Sequence, residues 1–327
     1  MTVSCPTRSP AVWSRPGWKR AVPDRSSLDL PDGRLALAVS GGGDSLGMFA
    51  LALTAARERI AVLTVDHGLR EGSAADADHV ENLCRNMDVP CRTLRVSWPN
   101  GALTANRQAE ARAARYRALA KAAVLEGADF LLTAHHADDQ AETLLMRLSR
   151  GSGLAGLTGI RRERLLEEGV TLLRPCLHLR SLDLHDAAVA AGFSIRDDPS
   201  NADPAYDRTR FRALLAENGD LDPARMAASV AHLAEAEAAL SWTTDLAFDS
   251  RVTWVDKSVL VDPYGLPPDL KRRLVLRVFA AMDAPDPRGA DLMRFISRLE
   301  SDVKATLSGL SATPGNRWIL TRAKPRR

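Results

Sequence analysis

The 327-residue sequence has few cysteines, few aromatic residues and no long apolar run. Its cysteines are Cys5, Cys84, Cys91 and Cys176, with no C-x-x-C pair, so their spacing predicts neither a disulfide framework nor a zinc site. Such cysteine usage fits a reducing cytoplasm best. No apolar stretch reaches the length that spans a bilayer, and residues 1–31 lack the apolar core of a secretory signal. No membrane partner is therefore expected.

Neither sign of charge dominates the chain. Its 44 Lys and Arg residues against 41 Asp and Glu residues give a formal net charge of +3, which suits a nucleic-acid partner but is too small to establish one. The length suggests two or three domains. We expect a poorly ordered extension over residues 1–31, a catalytic domain over residues 32–218 and a mostly helical domain over residues 219–327.

The most specific pattern is a strand, a glycine turn and a helix. Residues 35–39 form a short apolar run, Gly41, Gly42 and Gly43 follow, and an apolar segment of helical length begins near Ser45. Successive glycines let the backbone approach an anion closely, and a helix N-terminus adds unpaired N–H groups and a partial positive charge. We therefore expect this loop to bind a phosphate.

Two common phosphate loops are excluded by what this loop lacks. A Walker loop needs a lysine, and a dinucleotide fingerprint needs a third glycine at a spacing that residues 41–46 do not have. The loop instead resembles the S-G-G-x-D-S loop of the ATP pyrophosphatases, which hold two phosphates of ATP as leaving pyrophosphate. Its residues are Ser40, Gly41, Gly42, Gly43, Asp44 and Ser45. Helix capping alone would account for Asp44 and Ser45, but not for three adjacent glycines.

Segments of strand length and helix length alternate through the first two thirds of the chain. Further strands are predicted over residues 60–65, 91–96, 130–133 and 170–173. Helices are predicted over residues 74–88, 104–126, 138–149 and 182–191. This alternation predicts an α/β fold in which helices wrap a parallel sheet. Ligands of such sheets bind beyond the carboxyl ends of the strands, where the glycine loop and residues 66–68 and 134–136 fall.

Residues 133–143 contain two histidines and three carboxylates. If a helix starts near Asp138, then Asp138 and Glu142 lie one turn apart on one face. Such a set could bind a metal, orient an amine or move protons. Acidic residues that complement a helix N-terminus are the alternative, which we favour for Asp138 or Asp139 alone. The whole combination favours chemistry, although its spacing does not identify a metal.

Further motifs follow the glycine loop in a fixed order. They are V-D-H-G-L-R at residues 65–70, H-H-A-D-D-Q-A-E-T at 135–143, R-G-S-G-L-A-G-L at 150–157 and D-P-S-N at 198–201. In this order they resemble the tRNA(Ile)-lysidine synthetases, over roughly residues 35–212. The resemblance implies an adenine-nucleotide alpha-hydrolase-like (PP-loop ATPase) domain. Thr209 departs from the family, which usually has asparagine there.

The resemblance implies an ATP-dependent ligase that acts on tRNA(Ile) with a CAU anticodon. The C2 oxygen of the wobble cytidine would attack the α-phosphorus of ATP, and the ε-amine of L-lysine would then displace AMP, so that the tRNA reads AUA. Mg²⁺ is expected to stabilise the leaving pyrophosphate. The amine must be unprotonated, so a nearby carboxylate or histidine is expected as base. The sequence is compatible with a homodimer but does not itself give the oligomeric state.

The resemblance also implies which residues form the site. The glycine loop would hold the phosphates of ATP, with Asp44 contacting Mg²⁺ or ATP. Four residues would orient lysine or the target cytidine: His136, Asp138, Asp139 and Glu142. Arg112, in a segment similar to the family's A-R-x-x-R-Y helix, would contact the ATP phosphates. An ordinary basic helical face accounts for Arg112 equally well.

The character of the sequence changes near Asn218. Helices are predicted over residues 223–248, 267–282 and 286–298, with a hairpin over residues 252–261. Basic residues recur through this region and in the C-terminal tail. In a tRNA enzyme they could bind phosphates, which makes this a candidate tRNA-binding domain, whereas a solvated charged face is the alternative.

Other functions share part of this pattern. A tRNA thiolation enzyme has the glycine loop but should supply paired catalytic cysteines, and a glutamine-dependent amidating enzyme should carry an amidotransferase domain. Neither feature is found in the sequence. A non-catalytic nucleotide sensor would need the loop but has no use for the cluster at residues 133–143.

Overall fold

The computed structural model describes residues 28–66, 68, 72–95, 107–166, 169–196 and 207–323; side chains of residues 107–109, 111, 112 and 207 are not included. Most of the predicted N-terminal extension, His67 and the D-P-S-N motif therefore lie outside the described residues. The chain divides into two compact units. The first comprises residues 1–146 and 160–227, and the second comprises residues 147–159 and 228–327.

A six-stranded sheet forms the centre of the first unit, in the order β3-β2-β1-β4-β6-β5. Its strands are β1 (Leu35–Ala38), β2 (Ile60–Asp66), β3 (Cys91–Arg95), β4 (Phe130–Leu132), β5 (Glu163–Leu165) and β6 (Thr171–Leu173). Central β1 pairs in parallel with β2 and β4, and among these strands only β5 pairs antiparallel. The predicted parallel α/β sheet is confirmed.

Helices cover both faces of this sheet, which is why its central strands read as continuous apolar runs. Leu35 and Leu37 of β1 pack in one core cluster, and Ala36 between them packs in another. The helices of the described residues are α1 (Gly43–Ala56), a 3-10 turn (Arg57–Arg59), α2 (Ser73–Asn86), α3 (Arg107–Leu125), α4 (Ala137–Ser149), α5 (Leu154–Leu157), α6 (Ser181–Ala190), α7 (Asp207–Glu217), α8 (Pro223–Arg251), α9 (Pro268–Ala281) and α10 (Gly289–Glu300). No helix within the described ranges is long and apolar enough to cross a membrane.

The second unit combines helices with a five-stranded antiparallel sheet. The strand order is β7-β8-β11-β10-β9. The strands are β7 (Val252–Val255), β8 (Ser258–Val261), β9 (Ala305–Leu307), β10 (Leu310–Thr313) and β11 (Trp318–Arg322). One sheet face packs against α9 and α10 through residues such as Val259, Leu320 and Phe295. The predicted hairpin corresponds to β7 and β8, whereas the last three strands were not predicted.

Close packing of α1 against α6 fixes the helix that follows the glycine loop. Gly47 of α1 faces the backbone of α6, and a Cβ built on it would lie 2.1 Å from the carbonyl oxygen of Leu184. Real Cβ atoms do not approach a backbone oxygen this closely, so only glycine permits this distance between the two helices.

We predict that Gly47→Ala lowers the free energy of unfolding by at least about 2 kcal/mol, because α6 must move to admit one methyl group. Urea unfolding of the purified variant would measure the loss. Gly219→Ala is the matched control, since a Cβ at Gly219 meets nothing within 4 Å. An equal effect at both positions would contradict the packing argument.

Candidate functional site

A crevice of about 690 Å³ lies at the carboxyl ends of the parallel strands in the first unit. Its volume suits a nucleotide-sized ligand. The glycine loop after β1, the end of β2, the loop after β4 and the helix α7 all contribute to its walls. Its charged lining includes three carboxylates, Asp44, Asp76 and Asp139, and four guanidinium groups, Arg115, Arg196, Arg208 and Arg212. The excess of guanidinium groups favours an anionic ligand.

The glycine loop turns sharply between β1 and α1. Gly41 has φ +87°, a conformation that side-chain-bearing residues rarely adopt, and its carbonyl accepts a hydrogen bond from the Arg196 N–H at 3.0 Å. Gly42 precedes α1 with φ −77° and ψ 160°, which any residue can adopt. A Cβ on Gly42 would meet only ordinary contacts, the nearest being Ser40 Oγ at 3.8 Å. The turn therefore requires glycine at position 41, whereas at position 42 glycine only keeps the surface open.

The two serines of the loop bond to the loop itself. Ser45 Oγ donates to the Gly42 carbonyl at 3.0 Å and accepts from the Ser40 N–H at 3.1 Å. The two hydroxyl oxygens lie 3.2 Å apart. These bonds hold the turn in shape and leave the N–H groups at the start of α1 without intrahelical partners, which is the arrangement that anions bind.

His136 lies between β4 and α4 and is only 5% exposed. Its Nε2 lies 3.4 Å from Asp44 Oδ2 and 3.7 Å from Asp139 Oδ2. Its Nδ1 lies 3.4 Å from Asp138 Oδ2, close enough for an ion pair but without hydrogen-bond alignment. Burial lowers the pKa of His136, but the surrounding carboxylates outweigh burial and raise the pKa to about 10. His136 is therefore an imidazolium at neutral pH.

Asp44 and Asp138 are each bound by the start of α6. Asp44 Oδ1 accepts from the Ser181 hydroxyl at 2.6 Å, and Asp138 Oδ2 accepts from the Ser181 N–H at 2.9 Å. Arg180 also donates to Asp138, from Nη2 at 2.9 Å and from Nε at 3.1 Å. Burial raises the pKa of both carboxyl groups, but His136 and these donors outweigh it, so both pKa values lie below the ordinary aspartate value.

Asp139 and Glu142 are paired with two arginines from α7. Glu142 is 1% exposed, and its Oε1 accepts from Arg212 Nε at 2.8 Å. Arg208 donates to both acidic residues, from Nε to Glu142 and from Nη2 to Asp139. A buried carboxylate needs such partners, because an unpaired charge away from water is strongly destabilising. The two carboxylates thereby hold two guanidinium groups at the crevice.

The structure brings four predicted site residues together, since His136 contacts Asp44, Asp138 and Asp139. Glu142 lies behind them and does not line the crevice. Arg112 lies on α3, and its side chain is outside the described part of the chain. Four further residues of the site were not predicted from the sequence: Arg180, Ser181, Arg208 and Arg212. For the last two, the i, i+4 spacing of basic residues was the available signal.

The site offers few protein ligands to a metal ion. Within the described ranges, no group of three His, Cys, Asp or Glu side chains is placed to hold a metal. Mg²⁺ is commonly bound by one or two carboxylates, with phosphate oxygens and water completing its octahedron. Asp44 suits that role, because its side chain is 43% exposed and lies beside the phosphate-loop turn.

Comparisons with known proteins agree with this geometry. The PP-loop domain family matches residues 21–218. The chain is 42% identical over 307 residues to the tRNA(Ile)-lysidine synthase of Novosphingobium aromaticivorans, covering 93% of each chain. It is 38% identical to that of Zymomonas mobilis, covering 90% of each. The solved structure of the U34-tRNA thiolase NcsA from Methanococcus maripaludis is also similar, with a TM-score of 0.52 over 63% of this chain and 74% of the thiolase chain. Because the two sequences are only 18% identical, this is a likeness of fold alone.

The imidazolium predicts a pH dependence of stability. Because folding raises the pKa of His136 from 6.5 to about 10, its contribution is complete below about pH 6.5 and is lost as pH rises through 10. We expect the free energy of unfolding of the wild-type protein to fall by on the order of a few kcal/mol between pH 7 and pH 10.5, and that of His136→Gln to fall much less. Urea unfolding at several pH values in this range measures how the free energy of unfolding of each protein changes with pH.

The control for this titration is His232→Gln, which changes an exposed histidine on α8. The free energy of unfolding of this variant should depend on pH as that of the wild-type protein does. Proton NMR of the histidine rings provides a direct test, with the signal that disappears in His136→Gln titrating near pH 10. A midpoint near neutrality for that signal would contradict the buried imidazolium.

Proposed function

The chain belongs to the tRNA(Ile)-lysidine synthases, within the PP-loop family, and we propose that it ligates L-lysine to C2 of the wobble cytidine in the CAU anticodon of tRNA(Ile). ATP is the co-substrate, and the products are lysidine-containing tRNA, AMP and pyrophosphate. The modified anticodon reads AUA in place of AUG. The enzyme is an AMP-forming ligase that makes a C–N bond.

One observation carries this proposal: a phosphate-binding turn and a charged cluster open into the same crevice. Gly42 and Gly43 form one wall, and His136 with Asp139 form another, within a volume of about 690 Å³. A reaction that joins a nucleotide, a base and an amine needs the leaving pyrophosphate and the attacking groups within one site. A nucleotide sensor would need only the first wall.

In the first step, we propose that the C2 oxygen of cytidine attacks the α-phosphorus of ATP and that pyrophosphate leaves toward the glycine loop. The N–H groups at the start of α1 face the charge that accumulates on pyrophosphate. Arg208 and Arg212 also line the crevice, and their guanidinium groups suit phosphate oxygens. Both are held by Glu142, so they need no rearrangement when charge develops.

In the second step, the lysine ε-amine attacks C2, the C–O bond breaks, and the oxygen leaves with AMP. The nitrogen must lose a proton as the new bond forms. Because the surrounding carboxylates raise the pKa of His136 to about 10, His136 is a poor acceptor for that proton. Of the carboxylates in the cluster, Asp44 and Asp139 line the crevice, and because Asp44 is assigned to Mg²⁺, we assign Asp139 to receive the amine and its proton.

Mg²⁺ also belongs to the proposal. Asp44 would hold it, together with phosphate oxygens of ATP, and the ion would neutralise charge on the leaving pyrophosphate. The exposed Asp44 carboxylate and its fixed hydrogen bond from Ser181 support this assignment.

Residues 219–327 are proposed to bind tRNA. Basic residues on the surface of the second unit support this assignment, such as Arg294, whose side chain is 77% exposed. A tRNA substrate also favours a cytoplasmic location. A homodimer remains a proposal for which exposed Leu182 and Val189 on α6 supply an apolar surface.

The function predicts that multiple turnovers of pyrophosphate release require all three substrates. Purified protein should release pyrophosphate and incorporate lysine only with ATP, lysine and a CAU-anticodon tRNA(Ile) present together, apart from one equivalent released before lysine is added. Asp44→Asn should reduce the rate at least about a hundredfold, because its charge is lost where Mg²⁺ and pyrophosphate bind. Multiple turnovers of pyrophosphate release without lysine, or in the absence of tRNA, would exclude the proposed reaction.

The glycine loop gives a second prediction, at Gly42. Gly42→Val should stay folded, because its backbone conformation is open to valine and its Cβ meets only ordinary contacts. The side chain should nevertheless obstruct the phosphates and abolish ATP binding. Calorimetry with ATP and thermal unfolding measure the two effects. Gly41→Ala is the contrasting variant, since φ +87° should cost it about 1 kcal/mol of stability. Normal ATP affinity in a folded Gly42→Val protein would contradict the loop assignment.

A further inference from the structure

Two consecutive residues at the start of α6 connect the glycine loop to the charged cluster. The Ser181 hydroxyl donates to Asp44 at 2.6 Å, and the Ser181 N–H donates to Asp138 at 2.9 Å. Arg180 binds the same Asp138 through Nε and Nη2. Asp44 belongs to α1 and Asp138 to α4, so the two residues join elements that are distant in sequence.

The Ser181 hydroxyl determines which way the Asp44 carboxylate points. The Asp44 side chain is 43% exposed, so packing alone does not fix its terminal torsion, which is intrinsically broad. With Oδ1 bound to the hydroxyl, Oδ2 is left 3.4 Å from His136 Nε2. Without the hydroxyl, no hydrogen bond holds Oδ1, and the carboxylate is free to rotate away from the orientation in which it would meet a cation.

We propose that Ser181 is a positioning residue that holds the Asp44 carboxylate in the orientation that receives the Mg²⁺ of bound ATP, and that Arg180 keeps Asp138 in place beside it. The inference rests on the proposed function for its nucleotide and its metal. It adds to that function a residue outside the glycine loop and outside the H-H-A-D-D-Q-A-E-T motif. The hydrogen bond from a hydroxyl to an ionised acceptor belongs to the stronger class of side-chain bonds.

The test compares Ser181→Ala with Ser181→Thr. ATP binding is measured by calorimetry at a series of Mg²⁺ concentrations and again in EDTA. Ser181→Ala should need about tenfold more Mg²⁺ for half-maximal ATP affinity, because one hydrogen bond to a charged group is lost. Its ATP affinity in EDTA should stay close to wild type. Ser181→Thr retains the hydroxyl and should restore the wild-type Mg²⁺ dependence.

Two control variants separate positioning from general stability. The backbone N–H of Arg180 donates a hydrogen bond to the Asp183 carboxylate at 2.8 Å. Asp183→Ala removes this bond and weakens the start of α6 without changing a contact of Asp44. Asp222→Asn removes the 3.6 Å ion pair to Arg180 and keeps an oxygen for the Ala224 N–H. Asp183→Ala should unfold at lower temperature, and both should keep the wild-type Mg²⁺ dependence.

Two results would overturn the inference. One is a Ser181→Ala protein that binds ATP with the wild-type Mg²⁺ dependence; the other is an Asp183→Ala protein that needs as much extra Mg²⁺ as Ser181→Ala. Calorimetry uses neither tRNA nor lysine, so its outcome is independent of lysine transfer. A wild-type protein that binds Mg²⁺ and ATP but forms no lysidine would refute the proposed function and leave the role of Ser181 standing.

Discussion

A buried positive charge on His136 is the constraint on which the site depends. Imidazolium is costly to remove from water unless carboxylates surround it, and here Asp44, Asp138 and Asp139 do so. Asp44 follows β1, whereas the other two begin the helix that follows β4. Because β1 and β4 are neighbours in the sheet, the parallel pairing brings these groups together before any ligand arrives. The fold thereby prepares the electrostatics of the site in advance, which is the form of preorganisation that catalysis uses.

A second layer of arginines completes the charge balance. Arg180 neutralises Asp138, and Arg208 and Arg212 neutralise Asp139 and Glu142. Together with His136 and Asp44, this makes four cations and four carboxylates in one cluster. Removal of an arginine would take a partner from a buried carboxylate such as Glu142, so we expect the cluster to be sensitive to substitution. Acidic residues of the family motif therefore contribute to the site in two ways, by facing the crevice and by holding arginines beside it.

The sequence predicted the features that depend on local pattern. The strands of the parallel sheet, the start of α4 and the convergence of the glycine loop with residues 134–136 follow from periodicity and from the rule for strand ends. The pairing of Glu142 with Arg208 did not, because it spans 66 residues and only the fold brings α7 to α4. For the same reason Ser181 carried no signal. Strands β9 to β11 were missed because they gain their stability from neighbouring strands and lack the alternation of strands with helices that marked the equally short strands of the first unit.

This charge balance also explains why glycines bind the phosphates in our proposal. If the acidic and basic side chains of the cluster already neutralise one another, they add little net positive charge for a triphosphate. Arg115 and Arg196 line the crevice, but the backbone N–H groups at the start of α1 form a cradle whose donors are fixed in direction. A lysine, as in a Walker loop, would add a mobile charge close to Asp44 and would compete with Mg²⁺ for that carboxylate. A glycine turn supplies donors without a competing cation, which leaves Asp44 available to the metal.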